Sequence, residues 1–181
     1  MNHCSCSTSF LSGLSRRAVL RGALAGLAAI TLLPGGLAAT GTPQGPVLLE
    51  VDGDIPDGAA QFDLAALDAL PQGRFRSSTI WTEGEPEFSG PRLSALLDHL
   101  GAGPGDVMLS AANQYQILLP RAMVEADAPI IATRIDGAPF PLRERGPLWL
   151  VFPYDADRRF RTEAAYAVSV WQLVRLTVLA G

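Results

Sequence analysis

Arg143-Glu144-Arg145 stands directly before Gly146-Pro147. Guanidinium groups beside such a glycine loop can grip a phosphate bidentately, although three charges in a row also read as a solvated turn. Arg121 and Arg134 are weaker candidates of the same kind. Trp81, Tyr115 and Trp149 are large, partly polar aromatics near the ends of expected strands. There a planar ligand could stack, or the rings could fill a core. Asn113 can hydrogen-bond a ligand from a loop, or serve as a turn residue tolerant of positive φ. Glu83, Glu85 and Glu87 could present carboxylates to a metal or partner, but read better as a solvated acidic loop. His99 falls late in a leucine-rich helix, where a structural role fits.

The address of the chain bears on this chemistry. Ser15-Arg16-Arg17-Ala18-Val19-Leu20-Arg21 precedes an apolar run at 22–33, the pattern of a twin-arginine export signal. Val19 stands where phenylalanine is commonest, so an ordinary secretory signal is the alternative. The run is shorter than the roughly 20 residues of a spanning helix and is broken by Pro34-Gly35-Gly36. Small residues at Gly36, Ala38 and Ala39 suit cleavage, which leaves residues 1–39 as signal and no membrane anchor in the mature chain. The twin-arginine route carries folded proteins, commonly because a cofactor is inserted first. A periplasmic or secreted protein is therefore expected.

Composition then removes several functions. Both cysteines, Cys4 and Cys6, lie in the signal, so the exported chain has no thiolate and no disulfide. A single histidine after processing builds neither a hydrolytic triad nor a histidine metal cluster. Three of the 14 basic residues precede position 40 and none of the 18 acids does, leaving 11 against 18, a net charge of about −7. Nucleic acid is an improbable partner for such a chain.

The elements that must hold the candidates in place follow from pattern. Residues 40–46 read as a flexible leader, and one domain at 47–181 follows. A strand is expected at 47–51. Asp63 can cap a short helix that carries Leu64, Leu67 and Leu70, before an alternating strand at 74–82. The acidic loop leads through Phe88-Ser89-Gly90-Pro91 into a helix with Leu93, Leu96, Leu97 and Leu100 on one face, stopped by Gly101. Strands at 107–111 and 115–119 flank Asn113-Gln114, and a helical turn at 120–126 follows. A β-branched strand at 130–135 closes on the hairpin pair Asp136-Gly137. A strand at 148–152, a coil near 163–167 and a last strand at 171–179 complete the chain. Helices and strands mix without a βαβ rhythm, which gives the class α+β.

Three stretches stand in a fixed order: Phe88-Ser89-Gly90-Pro91-Arg92-Leu93 with Leu96-Leu97; Ser110-Ala111-Ala112-Asn113-Gln114-Tyr115; and Asp136-Gly137-Ala138-Pro139 followed by Gly146-Pro147-Leu148-Trp149-Leu150-Val151-Phe152-Pro153. Together they resemble the sulfite oxidase family, the oxidoreductase molybdopterin-binding domain. The first is similar to the helix start that follows that family's metal loop. The second resembles its strand ending in Asp-Gly-Tyr, and the third its Asn-Gly-x-Pro-Leu and Gly-Pro-Leu-Arg-Leu-Val-x-Pro run. Trp171 stands where the family has a tryptophan before its last strand. The resemblance spans about 47–179 and implies a sulfite oxidase-like fold of mixed strands with short helices, a molybdopterin cofactor and oxidoreductase activity. Periplasmic members such as the methionine sulfoxide reductase catalytic subunits also travel folded.

The departures matter as much. The family holds molybdenum through one cysteine thiolate, and the corresponding loop here reads Ser77-Ser78-Thr79. A hydroxyl is a hard, high-pKa donor and a poor substitute for a thiolate. Asn113-Gln114 replaces Asp-Gly, Trp149 replaces an arginine, and the chain is shorter than full catalytic members. Two functions remain: an oxidoreductase-type domain without an independent molybdenum cycle, or a binding or sensing module whose emptied pocket takes a small ligand or an exported protein partner, redox or signalling. In either case the resemblance implies that Trp81, Asn113, Tyr115, Arg143 and Arg145 converge on one cleft beside the vacant metal-ligand loop.

Overall fold

The computed structural model describes residues 43–181. The expected signal at 1–39 and the first residues of the leader lie outside them. In chain order the elements are β1 (Leu49–Gly53), β2 (Ala59–Phe62), α1 (Leu64–Asp68), β3 (Gln72–Arg76), β4 (Glu87–Pro91), α2 (Leu93–His99), β5 (Val107–Ala111), β6 (Gln116–Leu119), β7 (Ile130–Ala132), β8 (Arg134–Ile135), β9 (Ala138–Pro139), β10 (Trp149–Val151), α3 (Glu163–Ala167) and β11 (Leu173–Val178). This is an α+β architecture, with most elements strands in three sheets. One sheet runs β2-β1-β11-β5-β6, a second runs β3-β4-β8-β9, and β7 pairs with β10 alone. The first and last strands lie side by side and parallel, Val51 opposite Leu176.

The β7–β10 ribbon explains where the core sits. All six of its residues are buried, and alternate residues serve opposite sides, as the two-residue period of a strand requires. Ile131 and Leu150 face the larger core, which holds the five-stranded sheet, Leu67 and the leucines of α2. Ile130, Ala132, Trp149 and Val151 face a smaller core with Phe88 and Phe140. The ribbon is thus a wall between two apolar clusters.

Local signals account for the helices. Asp63 accepts the Ala66 N–H at 2.8 Å as N-cap of α1. The same carboxylate takes the N–H groups of Gln44 and Gly45, each at 2.9 Å, so this part of the expected leader is tethered. These backbone donors, Ala66 first, hold its pKa below the ordinary value. Leu93, Leu96, Leu97 and Leu100 of α2 are buried, and Gly101 ends the helix at φ +60.

Three expectations need correction. The strand expected through 74–82 stops at Arg76: the Ser77 N–H still reaches Pro86 O at 3.2 Å, but from Ser78 on the backbone bonds to Asp155 and locally instead of continuing the ladder. Phe88-Ser89-Gly90-Pro91 is not a loop but β4, paired on both edges with β3 and β8. The strand expected at 130–135 divides at Thr133, whose N–H turns to Ser89 O at 2.9 Å and shifts the chain from β10 to β4.

That shift brings β4 against β7 with no room for a side chain. A Cβ on buried Gly90 would stand 2.0 Å from the Ile131 carbonyl oxygen. Gly90→Ala is therefore expected to destabilise the protein by about 2–3 kcal/mol, read as a lower urea midpoint. An unchanged midpoint would contradict this close approach.

Candidate functional site

The vacant metal-ligand loop of the resemblance lies between β3 and β4, and its hydroxyls are already engaged. Ser77 is fully buried. Its Oγ donates to Ser78 O at 3.1 Å and accepts the Asp155 N–H at 3.2 Å. Ser78 donates twice to the Asp155 carboxylate, from its backbone N–H at 2.5 Å and from Oγ at 2.8 Å. Arg161 donates to the same carboxylate. Thr79 Oγ1 accepts the Trp81 N–H at 3.0 Å and pairs with Thr82 Oγ1 at 2.8 Å. These bonds turn the chain so that the Trp81 ring enters the body of the protein. Among the described residues, no group of three or more His, Cys, Asp or Glu is placed to hold a metal ion.

Trp81 packs against both cores. Its indole makes edge-to-face contacts with Trp149 (5.7 Å), Tyr166 (5.7 Å), Trp171 (5.6 Å) and Tyr154 (6.5 Å). Beside this cluster opens a cavity of about 260 Å³. Trp81, Tyr166 and Trp171 form aromatic walls, Ala111 and Val170 add aliphatic surface, and Asn113 and Tyr115 stand on the β5–β6 turn. Tyr115 is 47 % exposed, and its hydroxyl reaches Ala167 O on the other side at 3.5 Å. It spans the site from turn to helix.

Two side-chain oxygens at this cavity, Asn113 Oδ1 and Ser169 Oγ, are committed. Asn113 Oδ1 accepts the Tyr115 N–H at 3.0 Å, which fixes the turn, while the left-handed residue is Gln114 at φ 70. Asn113 thus holds the turn through its side chain and lines the cavity, while the positive φ expected of it falls on its neighbour. Ser169 Oγ donates to Ala165 O at 2.6 Å, so the 2.5 Å contact with Tyr154 has the tyrosine as donor. Burial pushes the Tyr154 hydroxyl up to about 12. No charged side chain lines the cavity. Its lining holds no carboxylate and no imidazole.

Of the five residues expected to converge, Trp81, Asn113 and Tyr115 line this one cavity. The two arginines do not. Arg143 is exposed on the turn after β9, and Arg145 places its guanidinium 5.7 Å from the Trp149 ring centroid, outside the cavity lining. Their turn is nevertheless held close by Gln172, next to Trp171: its N–H donates to Arg145 O at 3.0 Å and its Nε2 to Leu142 O at 2.8 Å. Trp149 is wholly buried and donates to Ser169 O at 3.2 Å, so it is core. Arg134 is held by both oxygens of Asp68 at 2.6 Å, which raises its pKa and occupies its fork. His99 packs edge-on against Phe62, and Glu87 pairs with Arg74.

Sequence reasoning missed Tyr166 and Asp155. Tyr166 sits on a five-residue helix with no periodic signal. Asp155 acts on Ser78 across 77 residues, with no motif to mark it. No family model matches the chain, and no curated protein matches it.

The Asp155 clamp generates a pH-dependent expectation. Hydrogen bonds from Ser78, and then Arg161, hold the carboxyl below its ordinary value of 3.8. A depressed carboxylate pKa contributes stability that is present above the ordinary value and is lost as pH falls through the folded one. Asp155→Ala should lower the thermal midpoint at pH 7 and red-shift tryptophan emission as the Trp81 loop loosens. The gap in midpoint from the parent should narrow as the solution is acidified below about 3.8. A gap that stays constant with pH would show that the carboxylate charge is not the anchor.

Proposed function

We propose that this chain is an exported domain of the sulfite oxidase-like molybdopterin-binding fold that runs no independent molybdenum redox cycle and binds a small ligand in its aromatic pocket. Oxidoreductase is the class the resemblance implies, and binding is the role the residues support. The single observation that carries this reading is the cavity itself. Residues from two of the three expected cofactor loops line it, and its walls are aromatic and uncharged.

The donor set does not fit the family's cofactor. Molybdenum in that family needs a soft thiolate, and no cysteine follows Cys6. The hydroxyls of Ser77 and Ser78 are engaged around Asp155, and that of Thr79 within its own turn. A pterin phosphate would need a cation on the cavity wall, where neither Arg143 nor Arg145 stands. A second reading, a protein partner in the same exported compartment, draws support from Ile80, which is 67 % exposed beside Trp81. Export by the twin-arginine route then serves to deliver a folded binding domain.

Elemental analysis of the full chain, expressed in a host that makes molybdopterin and recovered from the periplasm, tests the reading. Far less than one molybdenum per chain is expected. Stoichiometric metal with sulfite or sulfoxide turnover would overturn it and restore an enzyme.

A further inference from the structure

We infer that the pocket is an aromatic cage for a quaternary ammonium group. The inference rests on the binding role proposed above and names the ligand class. Three features of the walls point to it. Trp81 meets Tyr166 at 84° and Trp171 at 77°, so the rings touching it stand as perpendicular walls rather than as parallel plates. Electron-rich rings around an uncharged cavity attract a cation and offer nothing to an anion. The aromatic cluster already takes one cation: Arg145 lies over Trp149 and forms no ion pair among the described residues.

Desolvation selects among cations. A primary ammonium would bring three N–H donors to walls where Asn113 Oδ1 and Ser169 Oγ are already engaged and only the two tyrosine hydroxyls remain among the side-chain oxygens. A quaternary ammonium has no N–H to satisfy, so it enters an apolar site without orphaned donors. At about 260 Å³ the cavity falls below the range of drug-sized pockets, about 300–1,000 Å³, and suits a small head with a short tail. The acid excess of the chain, about −7 after position 39, attracts a cation from solution, and Glu83 follows Trp81 by two residues.

Isothermal titration of the full chain with choline, its neutral isostere 3,3-dimethylbutan-1-ol and a free pterin tests this directly. Choline is expected to bind at one site per chain, about tenfold or more tighter than the isostere, since their shapes match and only the charge differs. Tyr115→Ala, at an exposed position, should weaken choline by a similar factor while circular dichroism stays unchanged. Trp171→Leu should do so as well. Equal affinity for choline and the isostere, or binding of the pterin alone, would overturn the ammonium inference and leave the binding role standing. No heat from any of the three would overturn both. Choline binding that ignores the Tyr115 and Trp171 variants would overturn the placement.

Discussion

One indole belongs to two cores. Trp81 packs against the cluster under the five-stranded sheet and against the cluster around Phe88 and Trp149, beside the buried β7–β10 ribbon that divides them. A ring with perpendicular aromatic neighbours gains beyond simple burial from each edge-to-face contact, of the order of 0.5–1.5 kcal/mol apiece. The cluster around Trp81 therefore ties the two cores together. Moving that ring would disturb the end of β3, the start of β11 and helix α3 at once.

The placement of Trp81 is costly, because it requires a strand to end early and a loop to be tied down. Asp155 meets that need. By accepting two bonds from Ser78 it converts a segment of strand-like pattern into an anchored turn. The hydroxyls that would have to face a metal are consumed in the process. A loop held this way cannot also donate to a metal without breaking its own anchor. What is left beside the ring is a cavity with aromatic walls and no charged side chain. Such a site recognises by shape and by the π-faces of its rings.

Much of the local structure was legible. The Asp63 cap, the leucine spacing of α2 with its Gly101 stop, and the Asp136-Gly137 turn each rest on interactions within a few residues, and each lies where pattern places it. Long-range choices were not legible. Alternation at 74–82 satisfies a strand template, but Asp155 from far along the chain competes for the same backbone. Ile130 to Ile135 is uniformly β-branched or apolar apart from Arg134, and only the position of Ser89 decides that it splits at Thr133. β2, four residues after a turn, is too short to carry a period. In the site, Trp81 and Tyr115 could be named as large, partly polar aromatics near the ends of expected strands, and Asn113 as a residue of the loop between two of them. Tyr166 could not, since one aromatic on a five-residue helix looks like any other.

The central claim is that Trp81 and Trp171 wall a ligand site while Trp149, its N–H bonded to Ser169 O, serves the core behind it. Indole N–H resonances of ¹⁵N-labelled protein report on the three tryptophans separately. During titration with choline the Trp81 and Trp171 signals should move progressively to saturation, and the Trp149 signal should stay in place. Shifts confined to Trp149, or three signals that do not respond to choline, its neutral isostere or a pterin, would contradict the account.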